Sequence, residues 1–430
     1  MHLPETFLNR MQQQLNSEQY KAYLSAMEQP CRRAMRINTL KISIQDFLSL
    51  NPSVTEPDGI IPEGFLIPED YPVGDNPYHA AGLFYMQEPS AQFPVSLLDP
   101  KPGETVLDLC AAPGGKSGQI AAAMQNTGLL ISNEINTKRS TVLAGNLERL
   151  GVRNAVITDM RPDALCPLLS DACDAVLVDA PCSGEGMFRR DPQAVLEWSP
   201  AHVAACAERQ TDILQHASSC VRKGGRLVYS TCTFSEEENE SVIRSFLANN
   251  PDFSLIRSER LYPFSCQGEG QFAALLSRSG SIEKESVGRI PARPDKCPDP
   301  LAELLSIPSD SFSCSVLPDG RVFLLPEFLP EKMSQMHVLR AGISAGNLVK
   351  NRFEPSHGLF LAFPSGDFRR SVTLASPDLK RFLAGETVPC PSGVPGYTAV
   401  CVDDFPVGFG KSDGKIIKNH IPKGLRIRKY

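Results

Sequence analysis

At 430 residues, with 42% hydrophobic and 21% charged, the chain has the composition of an ordered globular protein and the length of about two to four domains. No apolar run approaches the roughly 20 residues of a membrane span. The start, MHLPETFLNRMQQQL, lacks the basic and apolar stretches of a secretory signal, so a cytoplasmic address without a membrane partner is expected. A net charge of −6 counts against a nucleic-acid partner, because phosphate contacts supply much of that affinity.

Residues 1–96 are of mixed character and carry a basic group, Arg32, Arg33, Arg36 and Lys41. From Glu104 to about Arg278, short apolar runs alternate with helical patterns, the sign of a parallel α/β sheet. The predicted strands are Thr105–Leu109, Leu129–Ser132, Ala155–Ile157, Ala175–Val178 and Arg226–Tyr229, nearly continuous in apolar residues, as strands covered on both faces should be. Val142, Leu143, Leu147 and Leu150 recur at helical spacing between the second and third.

A helix before the fifth strand is bounded by Ser199 as cap, Pro200 at its first position and Gly224 at its exit. Val203, Ala207, Ile213, Leu214, Ala217 and Val221 form its inner face. Ser235 followed by Glu238 has the form of a capping box, which starts another helix, and Phe272–Leu276 closes the sheet. The charged, proline-rich stretch 279–300 reads as a linker. Leu301–Leu348 reads as a compact α+β unit and Phe353–Tyr430 as a small β-rich domain. Divisions follow at 1–96, 97–280, 281–350 and 351–430. A second basic group lies at the end: Lys411, Lys415, Lys418, Lys423, Arg426, Arg428 and Lys429. On charge alone, RNA binding and a plain solvated surface are equally open.

The 13 cysteines are scattered singly from Cys31 to Cys401, without a C-x-x-C pair or a histidine at zinc-ligand spacing. No metal site is expected, and most of these thiols should be small buried hydrophobes, Cys110, Cys173 and Cys220 among them.

The first strand runs into Asp108, Leu109, Cys110, Ala111, Ala112, Pro113, Gly114, Gly115, Lys116 and Ser117, ahead of a helix. Small residues and two glycines let a ligand approach the backbone there. The full phosphate-loop pattern fails because Cys110 stands where its first glycine belongs, and G-x-G-x-x-G fails as well. Glu134 is placed to accept hydrogen bonds from ribose hydroxyls and Asp159 to meet an adenine amino group. Singly, each acid is more simply a helix cap. Together, Asp108, Glu134, Asp159 and Asp179 close successive strands on the edge where such sheets bind ligands. An adenosine ligand without diphosphate machinery, S-adenosylmethionine, is expected.

Cys182 follows the fourth strand and Cys232 the fifth, on that same edge. Carbon 5 of cytosine is too weak a nucleophile to take a methyl group unaided. A thiolate added at carbon 6 activates it, and a base must afterwards remove the carbon 5 proton. Two cysteines can share that work, and Cys232 precedes the helix expected at Ser235, whose N-terminus would favour a thiolate. The plainer reading of either is a buried structural thiol.

The motifs CAAPGGK (Cys110–Lys116), DAPCSGEGMFRRDP (Asp179–Pro192) and STCT (Ser230–Thr233) resemble the Sun/Nop family of RNA cytosine-5 methyltransferases, in its bacterial small-subunit methyltransferase F-like branch. RINTLK at Arg36–Lys41, GLFYMQEPSA at Gly82–Ala91, GFGK at Gly408–Lys411 and KNHIPKGLR at Lys418–Arg426 extend the resemblance over nearly the whole chain. It implies a class I methyltransferase fold, Rossmann-like with a mostly parallel seven-stranded sheet, an α+β RNA-binding region before it and a PUA-like domain after it. It implies cofactor contacts at Cys110–Lys116, Glu134, Asp159 and Asp179, Cys232 as nucleophile and Cys182 as the releasing residue. It implies an RNA partner, 16S ribosomal RNA or a small-subunit particle, and a monomer is the default.

Phe409 stands where many relatives have tryptophan, which keeps an apolar contact and loses an indole donor. Trp198 is expected to pack rather than stack on a base. Arg189 and Arg190 are placed either for a phosphate or as a surface pair. Three rivals remain: a transfer RNA enzyme, a DNA enzyme attacking through Cys182, and a non-catalytic ribosome-assembly factor.

Overall fold

The computed structural model describes residues 3–281, 288–292, 297–308, 311–350 and 352–427. At its centre lies a sheet of β1 (Thr105–Asp108), β2 (Leu129–Asn133), β3 (Ala155–Thr158), β4 (Cys173–Asp179), β5 (Val221–Thr231), β6 (Phe253–Leu261), β7 (Gln271–Arg278) and β8 (Val338–Ala341). The order is β6-β7-β5-β4-β1-β2-β3-β8. β1 to β5 run parallel, β7 is antiparallel to both β5 and β6, and β8 is antiparallel to β3. The seven strands of the Rossmann-like class I arrangement are thus joined by an eighth from farther along the chain.

The central strands form where continuous apolar runs can be covered on both faces. Val106, Leu107, Leu130, Ile131, Val156, Ile157, Val176 and Leu177 are all at 0% exposure. Helices α1 (Gly115–Ala123), α2 (Thr137–Arg149), α3 (Pro200–Ser218) and α4 (Glu240–Asn249) connect the strands. Two helix limits differ from expectation. α3 ends at Ser218, and Val221 already pairs with Cys173 of β4. Because Arg226 pairs with Ala175, residues 222–225 bulge out, and Gly224 lies in that bulge at φ +72° rather than at a helix exit. α4 starts at Glu240 instead of Ser235: the Ser235 hydroxyl accepts from the Glu238 N–H at 3.4 Å, but the Glu238 carboxylate goes to Ser183 and Gln210.

Before the central sheet, helices Glu5–Gln14 and Ser17–Glu28 accompany a four-stranded sheet that includes Ala34–Ile37 and Phe84–Met86. The basic group there is only partly a surface feature. Arg36 is 1% exposed and donates to Gln87 Oε1 (3.1 Å) and the Gly115 carbonyl (3.0 Å). Lys41 donates to the carbonyls of Ala81 (2.6 Å) and Arg149 (2.9 Å), and burial pulls its pKa down to about 7.

Within the stretch read as a linker, Arg289–Pro291 is a strand paired with Phe328–Pro330, while residues 282–287 and 293–296 lie outside the described residues. A further four-stranded sheet uses Ser313–Val316, Arg321–Leu325, Ile343–Val349 and Arg352–Pro355. The carboxyl-terminal domain is a five-stranded sheet with Pro395–Val402 and Phe405–Asp413 at its middle. Its Phe409 is buried and stacks on Phe360 at 4.4 Å. Val400 and Phe382 share one core with Phe47 and Phe84, so the two ends of the chain pack together. Arg428 and Lys429 lie outside the described residues. Among those described, no helix is long and apolar enough to cross a membrane.

Candidate active site

The turn from β1 into α1 is held from several sides. Arg139 and Asn146 of α2 donate to the carbonyls of Ala112 (3.0 Å) and Pro113 (2.8 Å), and the Ala111 N–H reaches Asn133 O at 2.8 Å. Gly114 has φ +112°, and a Cβ at Gly115 would meet the Tyr85 ring at 2.9 Å, so neither position accepts a side chain. Burial pushes the Cys110 thiol up, leaving it an inert wall of the turn.

Asp108 ends β1 at 0% exposure. Its Oδ2 accepts from the Ser117 hydroxyl at 2.6 Å, while Oδ1 is buried without a protein partner. Burial raises this carboxyl to about 7. Glu134 follows β2, 3% exposed, accepting from the Asn136 N–H at 2.9 Å with Arg139 at 3.3 Å. Asp159 follows β3, accepts from the Thr137 hydroxyl at 3.2 Å and pairs with the His337 imidazole. Sequence reasoning missed His337, which the strand β8 brings from far along the chain.

An orphaned carboxylate oxygen, a turn closed to side chains and a row of acids suit a ligand with a cationic head, hydroxyls and an exocyclic amine. S-adenosylmethionine, the cosubstrate of this fold, has those groups. A phosphate ligand fits less well, because the Lys116 ammonium is turned onto Asp179 at 2.7 Å. No cluster of three or more His, Cys, Asp or Glu among the described residues is arranged to hold a metal ion.

Asp179 ends β4 and is fixed by three elements. Beyond Lys116 of α1, it accepts from Ser230 of β5 (2.7 Å) and Gln271 of β7 (3.2 Å). Gln271 escaped the sequence reading, though Ser230 lies inside the STCT motif. Just past these strand ends, Cys182 Sγ and Cys232 Sγ are 3.2 Å apart and both half-buried. Gly186 lets their loops close, since its N–H reaches the Cys232 carbonyl at 2.8 Å and a Cβ there would sit 3.0 Å from that oxygen.

A hydrogen bond to Cys232, then burial, pushes Cys182 well above the ordinary thiol range. Burial pulls Lys116 down, but the charges of Asp179 and Cys232 outweigh it and keep the ammonium protonated beside Cys232. α4 starts only at Glu240, so no helix N-terminus lies directly after Cys232, and the cation at the site is Lys116.

Three neighbours of the site are structural. Arg189 is buried against Glu269 at 2.6 Å and donates to the Ala26 carbonyl at 2.8 Å, so it is neither a surface residue nor free for phosphate. Arg190 donates to the Arg32 carbonyl at 2.7 Å. Trp198 is 6% exposed, packs edge-on against Phe7 and donates to Glu185 at 3.0 Å.

Comparison with known proteins gives a consistent result. Residues 95–276 match the family described as 16S rRNA methyltransferase RsmB/F. Residues 3–89, 313–363 and 369–427 match the RsmF N-terminal domain, first C-terminal domain and PUA domain. The chain is 33% identical to the ribosomal RNA small subunit methyltransferase F of Vibrio vulnificus (strain YJ016), over 99% of this chain and 98% of that protein. The protein of the same name from Escherichia coli O17:K52:H18 is 32% identical, over 99% and 97%. Among solved structures, a methyltransferase homolog protein from Pyrococcus horikoshii superimposes with a TM-score of 0.58 at 32% identity, over 64% of this chain and 95% of that one. NSun6 from the same organism, solved with SFG, gives 0.57 at 21% identity over 65% and 99%, a likeness of fold alone.

Proposed function

The chain belongs to the RsmF family of 16S ribosomal RNA methyltransferases, and on that premise we propose that it methylates carbon 5 of a cytosine in small-subunit ribosomal RNA, with Cys232 as nucleophile and Cys182 as the base that frees the product. The observation that carries this assignment is the 3.2 Å contact between the two sulfurs beside the Lys116–Asp179 ion pair.

Cys232, as thiolate beside the Lys116 ammonium, adds to carbon 6 of the ring. S-adenosylmethionine, when bound, supplies an electrophilic methyl group. Asp108, Glu134, Asp159 and the Cys110–Lys116 turn would hold it. Cys182 then removes the carbon 5 proton, the bond between carbon 6 and sulfur breaks, and Cys232 leaves as thiolate. The pair is self-timed. Once Cys232 has become a thioether, its hydrogen bond and charge no longer hold Cys182 protonated, so the base ionises more easily when it is required. A base must leave its stack to reach this pocket, which favours loops or an assembly intermediate. The proposal extends to a monomer acting in the cytoplasm.

Tritium-labelled S-adenosylmethionine with RNA or DNA tests the reading. Wild type should label RNA only, and Cys232→Ala and Cys182→Ala should both lose turnover. Cys182→Ala should in addition accumulate a covalent RNA adduct. An adduct in Cys232→Ala instead would reverse the two roles, and mapping 5-methylcytosine in ribosomal and transfer RNA of a deletion strain identifies the substrate.

A further inference from the structure

Two buried carboxylates cross between the loops that carry the thiols. Glu185, in the Cys182 loop, is 2% exposed and accepts from the backbone N–H of Phe234 in the Cys232 loop at 2.8 Å, while the Trp198 indole donates to its other oxygen at 3.0 Å. Glu238, beyond Cys232, is at 0% exposure and accepts from the Ser183 backbone N–H at 2.9 Å and from the Ser183 hydroxyl. Gln210 of α3 donates to Glu238 at 2.8 Å and to the Pro181 carbonyl at 3.0 Å. The hydroxyls of Thr233 and Ser183 are 2.9 Å apart. The residue after each cysteine is therefore tied into the other loop.

Burying carboxylates is unfavourable, and apolar residues of similar volume often serve stability as well. Such groups are better suited to setting a geometry. We propose that Glu185 and Glu238 are a reciprocal pair of positioning residues for methyl transfer, each belonging to one thiol loop and gripping the backbone of the other, so that together they set the separation of Cys182 and Cys232. The inference rests on the reading of those cysteines as the reacting groups. Attack on carbon 6 uses Cys232 alone, whereas release requires Cys182 to meet the proton on the adjacent carbon of the same ring. A change in separation should therefore slow release more than attack.

Two substitutions test this in the full-length protein. In Glu185→Gln the new NH2 must face the Trp198 indole or the Phe234 N–H, both donors only, so that grip fails on one side while the shape is kept. At Glu238 the Ser183 hydroxyl can accept as well as donate, so Glu238→Met, which removes the grip at similar volume, takes the place of the amide there. Each variant should lower kcat by about 10- to 100-fold, with KM for RNA and calorimetric S-adenosylmethionine affinity within about threefold of wild type. Each should also accumulate an RNA–protein adduct on denaturing gels. Ser183→Ala, which removes the hydroxyl's contacts with Glu238 and Thr233 but keeps the backbone N–H on Glu238, should show the same pattern more weakly and serves if the other variants melt early. Turnover within about twofold of wild type in these variants, or a loss of turnover without adduct, overturns the inference. A wild type that labels no RNA would overturn the reading of the site instead.

Discussion

Strand β4 has a group of cysteines at each end, and the two groups differ in exposure and in the charges around them. At its start, Cys173 lies with Cys166 and Cys220, all at 0% exposure, in a core that includes Leu165, Leu169 and Val221. The Cys220 thiol donates to the Cys166 carbonyl at 3.7 Å, and its contact with Cys166, then burial, pushes its pKa far up. At the other end, Cys182 and Cys232 are half-buried, with a protonated lysine at hand. Closeness of two sulfurs does not make a reactive pair. Access and a nearby cation do.

The sharpest way to break this contrast is alkylation. Iodoacetamide on the native protein should modify Cys232 on the order of a thousandfold faster than Cys173 or Cys220, which become accessible only through local opening. Peptide mass spectrometry reads the ratio, and comparable rates would erase the distinction. Next in size is Lys116→Met, which removes the cation. It should cut turnover about a hundredfold, and alkylation of Cys232 at neutral pH should slow, because the cation next to it is gone. An unchanged alkylation rate would show that Lys116 does not act on Cys232.

At the opposite end, Cys220→Ser should leave turnover within about twofold and cost about 1–3 kcal/mol of stability, because a hydroxyl replaces a thiol in an apolar core. Chemical denaturation measures it, and a loss of activity at unchanged stability would contradict the division of labour. The smallest effect concerns Asp108. Its carboxyl, raised to about 7 by burial, is mostly neutral below that pH and charged above it, so the affinity for cationic S-adenosylmethionine should rise a few-fold across neutrality. Asp108→Asn should flatten that calorimetric profile. For the ligand-free fold the sign is opposite. The folded carboxyl holds its proton up to about 7 while the unfolded one releases it near 3.8, so this group's contribution to stability falls as pH rises between those values.

The strands of the sheet's centre were legible because burial on both faces demands continuous apolar runs. β6 was not, because it is an edge strand with Leu255 and Ile256 exposed and a bulge between Leu255 and Arg257. Cys182 and Cys232 could be placed on the correct edge from strand order, and only the family resemblance implied separate roles for them. What supports them was hidden. Glu238 has the spacing of a capping residue, yet its carboxylate serves Ser183 and Gln210. Arg36 and Lys41 look like surface cations until partners far away in sequence, Gly115 and Arg149, enclose them. Local pattern carries local structure, and it cannot report which distant group will satisfy a buried charge.

The eighth strand imposes an order on synthesis. Until Val338–Ala341 has emerged from the ribosome, the nascent sheet has an open flank along β3, a template for pairing with a neighbouring chain. His337 arrives with that strand and reaches Asp159, so the adenine side of the proposed pocket is the last part to be finished. A chain cut after residue 280 would keep both thiols and both glycines of the turn, but it would leave that flank bare and aggregate more readily than the intact protein.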